Sequence, residues 1–186
     1  MNNTVEQAAK LLINCFQKGN KLMLCGNGGS AADCAHISGE LCKGFLLKRK
    51  LSDDLIKKID TEWAEELQQG LPAINLTANT ALITAIINDI GAYDIFAQQV
   101  LALGKSGDVL MCISTSGNAE NVLRASKVAK ALNIKTIGLT GKSGGKLKDT
   151  CDLLLNVDAT ETYLIQEQHI KIYHRLCILI EEAMFE

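Results

Sequence analysis

The chain is short of proline and of aromatic residues. Pro72 is its one proline, and it holds one Trp, three Tyr and four Phe among 186 residues. With so little proline, long helices can run unbroken. So few rings argue against a surface that stacks bases or sugars. Neither sign of charge is in excess, with 19 Lys and Arg against 21 Asp and Glu, so there is no basic footprint for nucleic acid. No apolar run approaches the ~18 residues of a membrane-crossing helix. The opening residues, MNNTVEQAAKLL, lack the basic-then-apolar order of a secretion signal, which sets the expectation of a cytoplasmic protein. What remains is ordinary globular composition, 47% hydrophobic and 22% charged. That excludes disorder and suits a single domain over residues 1–186.

Cysteine is the exception, with seven. The number is odd and no two stand in a C-x-x-C spacing, so neither a disulfide framework nor a thiolate zinc site is expected. Buried free thiols in a reducing compartment are the expectation. Cys25 and Cys112, near strand ends, are assigned to packing.

Hydrophobic periodicity orders the chain. Residues 5, 8, 9, 12, 13 and 16 are apolar at helical spacing, and Gly19-Asn20 stops that helix. Short apolar strands follow at 21–25, 73–77, 109–113, 135–140 and 153–157. Helical stretches at 31–41, 79–87, 93–103 and 119–132 stand among them, and a long helix at 161–185 closes the chain. Residues 46–70 carry both signs of charge, with apolar residues at 51, 55, 56, 59, 63 and 67. They are read as an amphipathic helical insertion with Trp63 as a packing anchor. Strands alternating with helices predict an α/β fold, a three-layer α/β/α sandwich around a five-stranded parallel sheet.

Two strands end in similar loops, LMLCGNGGS at 22–30 and LMCISTSGN at 110–118. In such sheets, loops at strand C-terminal ends face the ligand crevice. Ser114, Thr115, Ser116 and Asn118 supply several polar side chains ahead of a helix N-terminus, which suits a phosphate monoester better than capping alone. GNGGSA formally fits a dinucleotide fingerprint, but the acidic residue that should end the next strand is missing. GKS at 141–143 fails as a nucleotide-binding loop, because Thr136 stands where a glycine is required.

The chain's three histidines all fall in two helical segments. His36 and Glu40 share one helix face at i and i+4, and Gln166, His169, Tyr173 and His174 lie roughly on one face of the last helix. Such a set could form an acid/base pair or a divalent-metal site, and spacing leaves both open.

CGNGGSAADCAH (25–36) with Glu40, ISTSGN (113–118), TIGLTGKSGGKL (136–147) and IQEQHIKIYH (165–174) resemble the sugar isomerase (SIS) superfamily, and within it the phosphoheptose isomerases. The similarity covers nearly the whole chain outside 46–70. It implies the SIS fold, which is flavodoxin-like, and an aldose–ketose isomerase. The reaction converts sedoheptulose 7-phosphate to D-glycero-D-manno-heptose 7-phosphate through an enediolate, for bacterial surface polysaccharide such as lipopolysaccharide or capsule. It further implies phosphate binding by Ser114, Thr115 and Ser116, with Gly28, Gly29, Glu40 and Asn118 also among the substrate-binding residues. Asn27, Ser30, Asp89 and Gln166 are implied for the sugar, and Glu40 and His174 as the catalytic acid/base pair. His36, Glu40, Gln166 and His174 match zinc ligands, one ion per subunit. A homotetramer is implied, with sites assembled from more than one subunit. Alternative readings are an isomerase of another sugar phosphate and a non-catalytic phosphosugar-binding regulator. Ala119 stands where the family usually has a further hydroxyl, and Tyr163-Leu164 where many members are polar or basic. The insertion at 46–70 is expected to pack on a neighbouring subunit or to cap the site.

Overall fold

The computed structural model describes residues 2–186. It begins with helix α1 (Asn2–Gln17), strand β1 (Leu22–Gly26) and helix α2 (Gly29–Cys42). A short α3 (Asp53–Ile59) and a 3₁₀ turn (Glu62–Glu66) lead to β2 (Ala73–Asn75) and α4 (Thr80–Asp89). Another 3₁₀ turn (Ala92–Asp94) precedes α5 (Ala97–Leu103), β3 (Val109–Ser114) and α6 (Glu120–Ala131). The chain ends with β4 (Lys135–Thr140), α7 (Leu147–Thr150), β5 (Leu153–Asn156) and the long α8 (Thr162–Phe185).

All strand pairs are parallel, in the order β2-β1-β3-β4-β5. The three-layer reading therefore holds. Strand alternation feeds two cores. Leu22, Leu24, Met111 and Ile113 pack with α1, α2 and α8 on one face. Met23, Cys25, Leu110 and Cys112 pack with α5 and α6 on the other. Because both faces are covered, strands such as VLMCIS are apolar throughout. The order reverses between β1 and β3, so a crevice opens where the loops after Gly26 and Ser114 diverge.

Residues 46–70 do not form one amphipathic helix. Ser52 caps α3 by accepting from the Leu55 N–H at 3.3 Å, and Asp60, left-handed at φ 51°, ends it after two turns. Acidic residues in its first turn and lysines in its last complement the helix dipole, which favours a short, separate helix. Trp63 is 53% exposed, so it is not the buried packing anchor expected; Ala64 is the buried residue of its turn. The stretch at 93–103 is also split, into the 92–94 turn and α5.

The preceding segment is held by a buried ion pair. Glu181 on α8 accepts from Arg49 Nε at 2.7 Å and from the backbone N–H groups of Phe45, Leu46 and Leu47 at 2.7–3.0 Å. Arg49 also donates to the Leu41 and Glu40 carbonyls. Burial would raise the Glu181 carboxyl, but the Phe45 and Leu46 amides and Arg49 outweigh it and hold the group below its ordinary value. The cysteines are free and five are buried; Cys42 is exposed and Cys151 intermediate, which corrects the uniformly buried reading.

Candidate active site

Gly28 opens α2 with φ 56° and ψ −120°, a conformation that glycine adopts without strain. No side chain caps this helix; the Ser30 N–H donates to the Asn27 carbonyl and the Ala31 N–H to that of Gly28, both at 3.0 Å, which closes the first turn at the crevice. A Cβ on the next residue, Gly29, would strike the amide of Gln166, which brings α8 on to the start of α2. Ser30 is buried beneath the turn. Asn27 is exposed and exchanges two hydrogen bonds of 2.9 Å with Asn121 at the start of α6.

The second loop is built against the GKSGGK segment. Ser114 ends β3 and is buried, while Thr115 and Ser116 face outward. Gly117 sits at φ 67° with its Cα against the Gly144 carbonyl, so a side chain there would be both strained and obstructed. Gly141 N–H donates to the Thr115 carbonyl and Leu147 N–H to that of Gly117, at 2.9 and 3.0 Å. Asn118 accepts from Lys146 N–H at 3.0 Å, so its side chain braces the loop. Thr115, Ser116, Lys142 and Ser143 line a cavity of about 280 Å³, with Ala159, Thr160 and Ile165 closing it. Hydroxyls, a lysine and an uncapped helix end suit a phosphate. Ala119 occupies the N-cap position and contributes no side-chain bond.

The titratable cluster lies further along the same helices. From Gly29 to His36 is about 10 Å of α2 axis. His36 Nε2 stands 3.4 Å from Glu40 Oε1 and 3.5 Å from His174 Nε2. Glu40 Oε2 pairs with Lys43 Nζ at 3.0 Å, and the Phe45 ring lies 5.6 Å from that of His174. Thus two elements remote in sequence converge a carboxylate and two imidazoles at a partly exposed position.

Comparisons with known proteins find relatives along nearly the whole chain. The SIS domain model matches residues 1–69 and 63–141. Phosphoheptose isomerase of Aliarcobacter butzleri is 42% identical over 99% of this chain and 87% of its own length. The phosphoheptose isomerase structure from Neisseria gonorrhoeae superposes with a TM-score of 0.81 at 38% identity, covering 97% of this chain and 86% of that one. That from Francisella tularensis gives 0.83 at 37%, with the same coverage. The chain belongs to the phosphoheptose isomerase family of SIS-domain proteins.

Not every residue expected in the isomerase site is gathered by the fold. His36, Glu40 and His174 meet. Gln166 lies eight residues before His174, about 12 Å along α8, with its amide against Gly29. Asp89 ends α4, is exposed, and accepts from Asn88 at 2.7 Å; this contact belongs to α4 rather than to the crevice. His169, grouped with Gln166 by helical spacing, is fully buried. Burial lowers its basicity, opposed by the Thr140 backbone. It belongs to the core.

The trio fits a zinc ion in donor chemistry. Bonds of about 2.0–2.1 Å to tetrahedral zinc separate its ligands by about 3.3–3.4 Å. The two separations from His36 match that edge within about 0.2 Å. Among the described residues no three His, Cys, Asp or Glu side chains converge closely enough to hold a metal ion by themselves, and Gln166 stands apart from the trio.

Sequence reasoning missed two groups beside this site. Asn121 pairs with Asn27 across 94 positions, and Asp33 meets the Tyr173 hydroxyl at 3.3 Å across 140. A polar residue in the first turn of α6 was a visible signal for Asn121. Asp33, three residues before His36, was a visible one for the second. Tyr173 itself was placed on the right helix face without a role.

Proposed function

We propose that this phosphoheptose isomerase family member converts sedoheptulose 7-phosphate to D-glycero-D-manno-heptose 7-phosphate. The observation that carries the reading is the convergence of His36, Glu40 and His174 below a crevice whose loops suit a phosphate. A phosphosugar-binding regulator needs the loops but has no use for that convergence.

The phosphate rests on Ser114, Thr115 and Ser116 at the start of α6, with Lys142 at the rim. Asn27, Ser30 and Gln166 hold sugar hydroxyls. Glu40 takes the proton from C1 of the open-chain ketose and leaves an enediolate. The proton then returns to C2, while His174 moves the hydroxyl proton between O2 and O1, so the carbonyl passes from C2 to C1. His36, Glu40 and His174 would hold the zinc ion implied for the family. Bound there, zinc supplies a Lewis acid for the carbonyl oxygen and a counter-charge for the enediolate. A coordinated Glu40 is a weaker base, so its two roles compete within one turnover.

The assembly reading is a homotetramer. α4 exposes Leu82 and Ile87, and the exposed Ile90 and Tyr93 follow. An apolar helix face of this kind suits a subunit interface, and Asp89 ends that helix. It reaches the sugar of a neighbouring subunit in this reading. Leu46, Leu55, Trp63 and Leu67 of the insertion are exposed too and pack on a neighbour. No helix among the described residues is long and apolar enough to cross a membrane; cytoplasmic residence, service to a surface-polysaccharide pathway and a single domain with an insertion at 46–70 complete the reading.

The test is NMR of the zinc-supplied protein with sedoheptulose 7-phosphate in heavy water. The expected result is an aldoheptose phosphate carrying deuterium at C2. Absence of any product overturns the substrate assignment.

A further inference from the structure

Tyr173 is almost wholly buried at 1% exposure, yet its hydroxyl reaches two polar groups on α2. It lies 2.9 Å from His36 Nδ1 and 3.3 Å from Asp33 Oδ1. Asp33 and His36 are three residues apart on one face of that helix. Asp33 is also buried, and its second oxygen has no hydrogen-bond partner among the described residues. The Tyr173 ring stands edge-on to His36 and to His174, with centroids 5.3 and 5.0 Å away.

A phenol carries one proton and accepts through its lone pairs, whereas a carboxylate only accepts. The Tyr173 proton therefore goes to Asp33. The bond between Tyr173 and His36 must then be donated by the imidazole, from Nδ1–H. A neutral imidazole carries a single N–H, so Nε2 is left with its lone pair. That nitrogen is the atom facing Glu40 and His174. In the opposite tautomer, Nε2–H would bond to Glu40 and occupy the lone pair that a base or a metal ligand uses.

We propose that Tyr173, anchored by Asp33, is a positioning residue that fixes His36 in the Nδ1–H tautomer and aims its Nε2 lone pair into the reacting cluster. The importance of this for turnover rests on the isomerase reading; the tautomer itself does not. Partners of this kind, one bond behind a metal-binding or reacting imidazole, alter affinity or activity by about 10–100-fold when removed.

The test uses the full-length, metal-free protein with ¹⁵N-labelled histidine, near pH 8.5, above the ordinary imidazole range. Its three histidines give a small spectrum, and His36→Gln assigns the signal. Long-range ¹H–¹⁵N correlations should show His36 protonated at Nδ1. Tyr173→Phe keeps the ring and removes the hydroxyl. It should lose that preference, weaken zinc binding about tenfold or more, and lower kcat about tenfold with KM within twofold. Asp33→Ala removes the acceptor, frees the Tyr173 proton for His36 Nδ1, and should shift the tautomer with Tyr173 intact. Nε2–H in the wild type, or Nδ1–H retained in Tyr173→Phe, overturns the proposal. Should Tyr173→Phe fail to fold, the wild-type spectrum and Asp33→Ala decide it. Nδ1–H together with no turnover of the heptulose by wild type upholds the positioning role and overturns only the isomerase reading.

Discussion

Glu40 sits between two partners, with Lys43 Nζ 3.0 Å from Oε2 and His36 Nε2 3.4 Å from Oε1, which hold its carboxylate in the cluster. Glu40→Gln keeps its shape and removes both basicity and anionic ligation. We expect kcat to fall by about 10²–10⁴, while binding of inorganic phosphate, followed by ³¹P NMR, is unchanged, because the loops at 114–118 are untouched. Near-normal turnover in that variant would remove Glu40 from the mechanism. This residue and His36 were legible in the sequence because i and i+4 on a helix is a local relation. The Asp33–Tyr173–His36 chain was not. It depends on how α8 lies against α2, and no spacing within either helix reports that. Arg49–Glu181, 132 positions apart, was invisible for the same reason.

Among the elements, the loop between β3 and α6 owes its shape to Gly117. Gly117→Ala places a Cβ against the Gly144 carbonyl at a positive φ, a cost of about 1–3 kcal/mol for the backbone alone. Urea unfolding should show a loss of at least that size, and KM for the sugar phosphate should rise with the displaced hydroxyls. The strap from 43 to 50 depends instead on Glu181. Breaking a buried pair leaves the other charge uncompensated, at about 3–5 kcal/mol, so Glu181→Ala should lower the thermal midpoint strongly. The pH dependence has a defined sign. Glu181 is held below its ordinary value of 4.5, so its contribution is complete above that pH and is lost as the pH falls through the lower, folded value. Glu181→Gln should flatten the stability–pH profile below about pH 4.5, measured by thermal unfolding from pH 3 to 6. Strands and long helices were readable because period and length distinguish them. The 46–70 segment was misread because its apolar spacing is helical while Asp60 turns left-handed and breaks the run.

For the whole molecule, the strand order sets the crevice and the exposed apolar surface bears on assembly. The order follows from β1 being flanked by both β2 and β3, a fact of pairing that alternation alone predicts only as a class. α4 is rich in Ile and Leu but buries Ile86 alone. Ile87→Lys with Ile90→Lys places two charges on its exposed face, away from the cores and from His36, Glu40 and His174. If α4 builds the proposed tetramer, light scattering should show the mass fall from tetramer to dimer or monomer, with unfolding temperature no longer dependent on protein concentration. Turnover should fall with it, because Asp89 is one residue from Ile90 and would no longer be offered to a neighbour's sugar. Mixing Asp89→Asn protein with Glu40→Gln protein, both of which keep the α4 face, then separates the two effects. Complementation requires sites shared between subunits, whereas additive loss means that each chain completes its own.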